Sequence, residues 1–175
     1  MHENNFTVEG MISMLEERDR TAPINEECDK FNIKNGDIVI DYGCGSGGYT
    51  KKISELLGEN GKVYAVDIHE LAIESVKKKI NKYQLTNVET VLVKNINEIR
   101  DNAANIIIAI DMFHMVQDKN VFLKELYRLI KKDGTLFIST HHMTSEEAQR
   151  IILDSKLWKI QYELDNCLKC IPLIE

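Results

Sequence analysis

The chain has 175 residues, the length of one domain, and a chain this long buries on the order of 70% of its unfolded surface without disulfide staples. Twenty-eight acids against 22 bases give a net charge of -6 and a pI near 5.4, which argues against non-specific binding to nucleic acid. The longest wholly apolar run, residues 106 to 110, is far too short to cross a bilayer.

Residues 6 to 19 place Phe6, Val8, Met11, Ile12, Met14 and Leu15 near helical spacing, and a charged segment, Glu16-Glu17-Arg18-Asp19-Arg20, follows. A second short helix is expected after Pro23, whose missing N–H costs nothing at a helix start; it buries Ile24, Cys28 and Phe31. Asn35-Gly36-Asp37 turns the chain into a first strand, Ile38-Val39-Ile40. That strand stops at Asp41, and four glycines fall within the next six residues from Gly43. Tyr49, Ile53, Leu56 and Leu57 then take helical spacing, and Gly58 closes that helix.

Asn60-Gly61 leads to a second strand, residues 62 to 67, ending in Asp67. Leu71, Ile73, Val76 and Ile80 form the apolar face of the next helix, whose Lys77-Lys78-Lys79 run reads as a solvated face. Residues 88 to 93 are a third strand, and 97 to 103 a short helix. Residues 104 to 110 are apolar on both faces, as a central parallel strand requires. Val121, Phe122, Leu126, Leu129 and Ile130 line a helix, and Asp133-Gly134 turns into a fifth strand, 135 to 139. Thr144-Ser145-Glu146-Glu147 fits a capping box opening a helix to about residue 155. Trp158, Ile160, Tyr162 and Leu164 alternate with polar residues, so that strand has one wet face and belongs at the sheet edge. Residues 167 to 174 form the last strand, where Pro172 is awkward because it removes a ladder donor.

Strands alternating with helices imply a doubly wound α/β sheet, mostly parallel, with residues 1–175 as a single domain. The four cysteines (28, 44, 167, 170) show no disulfide framework, and Met1-His2-Glu3-Asn4-Asn5 is unlike a signal peptide. A soluble protein in the reducing cytoplasm is therefore expected. Cys167-x-x-Cys170 has no second pair to complete a structural zinc site, and no metal is expected.

Ligands of such sheets sit at the carboxyl ends of the strands. The residues there are Asp41 to Gly48, Asp67 to His69, Asn95 with Ile96, Asp111 to His114, and Thr140 to His142. Gly43-x-Gly45-x-x-Gly48 satisfies a dinucleotide fingerprint, a weak signal alone. Asp41-x-Gly43-x-Gly45-x-Gly47 satisfies a second pattern, and Asp41 separates the two. A pyrophosphate gains nothing from a carboxylate beside it, whereas a cationic ligand does.

On these residues the chain resembles a small class I S-adenosylmethionine (SAM) methyltransferase, nearest to the "type 11" group that includes ubiquinone/menaquinone and arsenite methyltransferases. The matching pieces are the Asp41–Gly47 loop, Asp67, the strand 106 to 110 with Asp111-x-x-His114, and Leu129-Ile130-Lys131-Lys132-Asp133-Gly134-Thr135-Leu136. The resemblance covers about residues 8 to 165 and implies a Rossmann-like sheet with an antiparallel C-terminal strand.

It also implies roles. Gly43, Gly45 and Gly47 let backbone approach the methionine and ribose of SAM, and Asp41 serves its cationic amino-acid end. Asp67 accepts from both ribose hydroxyls, since a carboxylate has two acceptor oxygens; the alternative is a strand-end acid that caps a turn. Ile68 packs on adenine. Asn95, where the family usually has aspartate, accepts from the adenine amino group, and Ile96 offers its N–H to the ring. Asp111 faces the amino-acid end.

The segment 1–35 covers the site. His114 is the candidate base or metal ligand, with His141 and His142 beside it near the acceptor side in the same candidate roles; polar pocket lining or solvated loop residues are the alternative for all three. The expected partner is a small-molecule acceptor, with no nucleic acid and no membrane. Two other functions stand beside this one: an NAD(P)-linked oxidoreductase and a SAM-binding partner protein without catalysis.

Overall fold

Two β-branched runs with no polar face, Ile38-Val39-Ile40 and Ile106-Ile107-Ile108, become the two adjacent central strands of a seven-stranded sheet. The computed structural model describes residues 7–174; Phe6 and the polar start at Met1 lie outside the described residues. The strands are β1 (Ile38–Tyr42), β2 (Lys62–Asp67), β3 (Val88–Leu92), β4 (Ala104–Ala109), β5 (Ile130–Ser139), β6 (Trp158–Leu164) and β7 (Cys167–Pro172). The helices are α1 (Val8–Thr21), α2 (Ile24–Lys30), α3 (Gly48–Leu57), α4 (Glu70–Tyr83), α5 (Lys119–Leu129) and α6 (Ser145–Asp154).

The strand order is β3-β2-β1-β4-β5-β7-β6. The first five are parallel, and β7 lies antiparallel between β5 and β6. The order reverses between β1 and β4, so that is the switch point where a ligand crevice opens.

Burial explains why the central strands carry no alternation. Val39 packs with Ile53, Leu57, Val63, Ile106, Ile108 and Phe137 under α2 and α3. Its neighbour Ile40 packs on the other face with Ile107, Leu123, Leu126, Leu129, Ile138 and Trp158. Each fully buried Leu, Ile or Val contributes roughly 1.5–3 kcal/mol, so both faces need apolar residues. Trp158 is fully buried at the outer edge of this second core and its indole N–H donates to the Leu123 carbonyl at 3.3 Å.

Several boundaries differ from expectation. The short helix expected at 97 to 103 is a 3-10 turn over Val93–Glu98, directly after β3, and Ile96 is its buried anchor. Strand β5 starts at Ile130, not 135, because α5 runs straight into it. Its register with β4 then jumps from Ala104↔Ile130 to Ile106↔Thr135. Gly134 permits this bulge: a Cβ there would stand 2.7 Å from Ile130 Cδ1 and 3.0 Å from the Asn105 carbonyl oxygen.

Pro172 causes no conflict. It ends β7 beyond Cys170, the last residue paired with β5, and faces only Trp158 of β6. The edge strand departs from strict alternation, since its register shifts between Ile160 and Tyr162. Tyr162 and Leu164 are each left 46% exposed, beyond the reach of the core that holds Trp158.

Candidate active site

The loop after β1 folds back onto β2. The N–H groups of Gly43 and Cys44 both donate to the Val66 carbonyl, at 2.8 and 3.0 Å. Gly43, Gly45 and Gly47 have φ of +82°, +51° and +87°, a left-handed region that L side chains resist. Gly47 is the N-cap of α3, so the first N–H groups of that helix point past the loop. A Cβ at Gly43 would meet Met112 Cγ at 3.0 Å, and one at Gly45 would meet Leu15 Cδ1 at 2.8 Å. The glycine backbone is thus roofed by two flexible apolar side chains, one from the end of β4 and one from α1.

Asp67 closes the loop from below. Its Oδ2 accepts the Gly45 N–H at 3.0 Å and its Oδ1 accepts the His69 N–H at 2.9 Å. Each oxygen keeps a free lone pair. Beside it Ile68 is 67% exposed, an apolar side chain held out at a strand end. Asn95 is exposed and Ile96 buried in the 3-10 turn after β3.

Asp41 is buried beneath the loop at 4% exposure. Thr50 Oγ1 donates to its Oδ2 at 2.5 Å. Burial pushes the carboxyl up to about 7; the Thr50 bond works against this, the charges of Asp67 and Asp19 add to it, and Arg18 opposes it.

Asp111 follows β4 with φ +55°, a left-handed conformation that aspartate tolerates better than most residues. Ser139, at the end of β5, accepts its N–H at 2.8 Å. Its Oδ2 accepts from Arg18 Nη1 at 2.8 Å, and its Oδ1 is bonded to Nδ1 of His141. His114 stands in a 3-10 turn, Phe113–Met115, with its ring centroid 4.7 Å from that of His142. Its Nδ1 is buried without a partner. Burial, then the neighbouring His142, lowers its pKa.

Helix α1 is tied down on the loop by polar bonds. Ser46 Oγ donates to Asp19, and Ser75 Oγ reaches both the Ser46 carbonyl at 3.0 Å and Glu16 at 3.2 Å. Arg18, Asp19 and Ser139 were missed as site residues. Arg18 and Asp19 are indistinguishable from neighbouring charges in Glu16-Glu17-Arg18-Asp19-Arg20, and no local pattern singles out Ser139.

The expected residues therefore fall into two groups. Asp41, Gly43, Gly45, Gly47, Asp67, Ile68, Asn95 and Ile96 gather around the ends of β1, β2 and β3. Asp111, His114, His141 and His142 gather at β4 and β5. The donor set fits a cationic nucleoside: positive-φ glycines, an exposed aliphatic side chain, and the carboxyl groups of Asp41 and Asp67 buried beneath the loop, which disfavour a pyrophosphate. A cavity of about 90 Å³ opens on the β4/β5 side between α2 and the β6–β7 turn. Among the described residues no group of three or more His, Cys, Asp and Glu side chains converges as a metal site, and no helix is long and apolar enough to cross a membrane.

A family profile described as "Methyltransferase domain" matches residues 33–171. The chain is 37% identical over 96 residues to a probable cobalt-precorrin-6B C(15)-methyltransferase (decarboxylating) of Saccharolobus solfataricus, covering 51% of this chain and 48% of the relative. It is 28% identical over 130 residues to the human arsenite methyltransferase, covering 69% of this chain and 35% of that one. The chain thus spans about half or less of the length of these curated relatives. In fold it is similar to a SAM-dependent methyltransferase from Aquifex aeolicus, with a TM-score of 0.84, 24% identity, and coverage of 97% of this chain and 100% of the other.

Proposed function

The chain belongs to the methyltransferase-domain family, with the fold of the class I SAM-dependent, type 11 enzymes, and from that premise we propose that it transfers the methyl group of SAM to a small-molecule acceptor. When bound, SAM supplies an electrophilic methyl on a sulfonium whose leaving group departs neutral. The chain's own residues then have mainly to bind, align and keep out water.

The observation that carries this reading is the Asp67–Gly45 bond, which ties a three-glycine turn to a strand-end carboxylate with lone pairs to spare. Asp67 accepts the ribose hydroxyls and Ile68 covers one adenine face. Asn95 and the Ile96 N–H meet the adenine edge. Gly43, Gly45 and Gly47 let the nucleoside lie against backbone, with Met112 and Leu15 turning aside as it enters. Asp41, under the loop, and Asp111, at its rim, supply negative potential for the cationic end. His114, whose pKa burial lowers, lies on the acceptor side.

Residues 1–175 act as one SAM-binding domain, with the segment 1–35 as its cover. We place it in the cytoplasm, where its four free thiols remain reduced. Its net charge supports small-molecule rather than nucleic-acid substrates.

Calorimetric titration with SAM and with S-adenosylhomocysteine tests the binding half of the reading; saturable binding of both is expected. Methyl-labelled SAM incubated with cell extract tests the transfer half, with label expected in a low-molecular-weight product. A nicotinamide bound in place of SAM would make the protein an oxidoreductase. SAM bound with no label moved to any fraction would make it a non-catalytic partner.

A further inference from the structure

Resting on the proposed SAM-dependent transfer, we propose that His141 is the general base of this reaction, held in place by Asp111, and that the acceptor is a phenol seated in the cavity under the β6–β7 turn. The cavity is walled by Phe31, Ile110, Phe137, Tyr162 and Leu164, and its polar lining includes Ser139 and His141. Phe31 and Phe137 lie with ring centroids 4.9 Å apart. Tyr162 and Leu164, each 46% exposed, supply the outer wall that the β6 register shift leaves open. Aromatic and aliphatic walls beside a proton-accepting imidazole suit a flat, largely apolar molecule with an ionisable group on its edge.

The dyad geometry assigns the base. Asp111 accepts from Nδ1–H of His141, so the lone pair of that imidazole sits on Nε2. Asp111 is itself locked, by Ser139 on its N–H and Arg18 on its second oxygen. A carboxylate behind an imidazole fixes the tautomer and stabilises the imidazolium. His114 has no such carboxylate contact; its ring faces His142 and its Nδ1 lacks a partner.

Position agrees with this assignment. The glycine loop and Asp67 place the cofactor over β1 and β2, while Asp111 and His141 follow β4 and β5, across the switch point. Charge argues for an acceptor that arrives neutral. Glu27, bonded by the Tyr49 hydroxyl, lines the cavity, and the one lysine there, Lys30, is already paired with Asp165.

A phenol is protonated at neutral pH and is a poor nucleophile until its proton leaves. In the step, the phenol oxygen forms its bond to the methyl carbon as the carbon–sulfur bond breaks, and that electron pair stays on sulfur. The phenolic proton passes to Nε2 of His141, and the imidazolium later returns it to water. The charged and titratable groups around His141 are Asp111 after β4, Arg18 from α1, Glu27 and Lys30 from α2, Tyr162, Asp165 and Cys167 from β6, the β6–β7 turn and β7, and His114 and His142 from the neighbouring loops.

The probe is 4-nitrophenol, whose phenolate is coloured. Titrated into the cofactor-free protein about one pH unit below its own pKa, it should bind and turn to phenolate. His141→Gln should lower the phenolate-to-phenol ratio of the bound probe about tenfold, the effect of about one pKa unit. Asp111→Asn, which holds the imidazole in the wrong tautomer, should give an intermediate loss that His141→Gln does not deepen additively. With labelled SAM present at the same pH, transfer to 4-nitrophenol should fall about tenfold in His141→Gln, because about a tenth of the free probe is already ionised, with calorimetric SAM affinity unchanged.

Failure of 4-nitrophenol to bind or to be methylated overturns the acceptor class. An unaltered phenolate fraction in His141→Gln overturns the base. Failure of the wild type to bind SAM overturns the proposed function itself, a separate result from either.

Discussion

Replacing Asp41 by asparagine isolates the carboxylate buried beneath the glycine loop. Burial holds its pKa near 7 against an ordinary value of 3.8. Between about pH 4 and pH 7 the unfolded chain has released this proton and the folded chain keeps it, so stability falls as pH rises. The slope is about 1.4 kcal/mol per pH unit and the whole effect about 4 kcal/mol. This contribution is fully present below pH 4 and is gone above pH 7.

Asparagine cannot titrate, yet its carbonyl still accepts from Thr50. Its unpaired amide hydrogens cost a pH-independent amount of about 1–3 kcal/mol. Urea unfolding of both proteins at pH 5, 6, 7 and 8 gives the difference, because titrating groups not coupled to Asp41 cancel. Wild-type stability should drop relative to Asp41→Asn by about 3 kcal/mol between pH 5 and pH 7 and then level off. A difference that does not change with pH refutes the buried, protonated carboxyl. A cationic ligand on the loop should also expel this proton, so SAM titrated near pH 6 should release protons in the wild type and not in Asp41→Asn.

Asp67→Ala should weaken SAM binding by about 1–3 kcal/mol in calorimetry; unchanged affinity removes Asp67 from the ribose role. Gly47→Ala forces φ of +87° on a residue whose Cβ would stand 2.9 Å from Val76 Cγ2. It should cost about 1–3 kcal/mol, a drop of several degrees in thermal unfolding, and an unshifted midpoint would refute the strained N-cap. Ser139→Ala leaves the Asp111 N–H without its acceptor. It should destabilise by about 1–3 kcal/mol, and an unchanged urea midpoint would show that another group satisfies that N–H.

Much of the molecule was legible along the chain because it depends on neighbours in sequence. Unbroken apolar runs such as 106 to 108 announce strands covered on both faces. Glycines at 43, 45 and 47 announce backbone that only glycine adopts readily, and a carboxylate ending the second strand announces a polar contact at its tip. Thr144 caps its helix as its spacing requires, accepting the Glu147 N–H at 3.1 Å.

Other features arise from residues that no local period connects. Arg18 meets Asp111 across 93 positions, and His141 meets it across 30, so the imidazole–carboxylate pair exists only once β4 lies beside β5. A period of two reports that a strand has a wet face, not which strand it joins. The insertion of β7 between β5 and β6, the early start of β5 and the half-open wall at Tyr162 and Leu164 follow from backbone pairing across the sheet. Hydrogen bonds between distant strands carry no signature in either partner's own sequence.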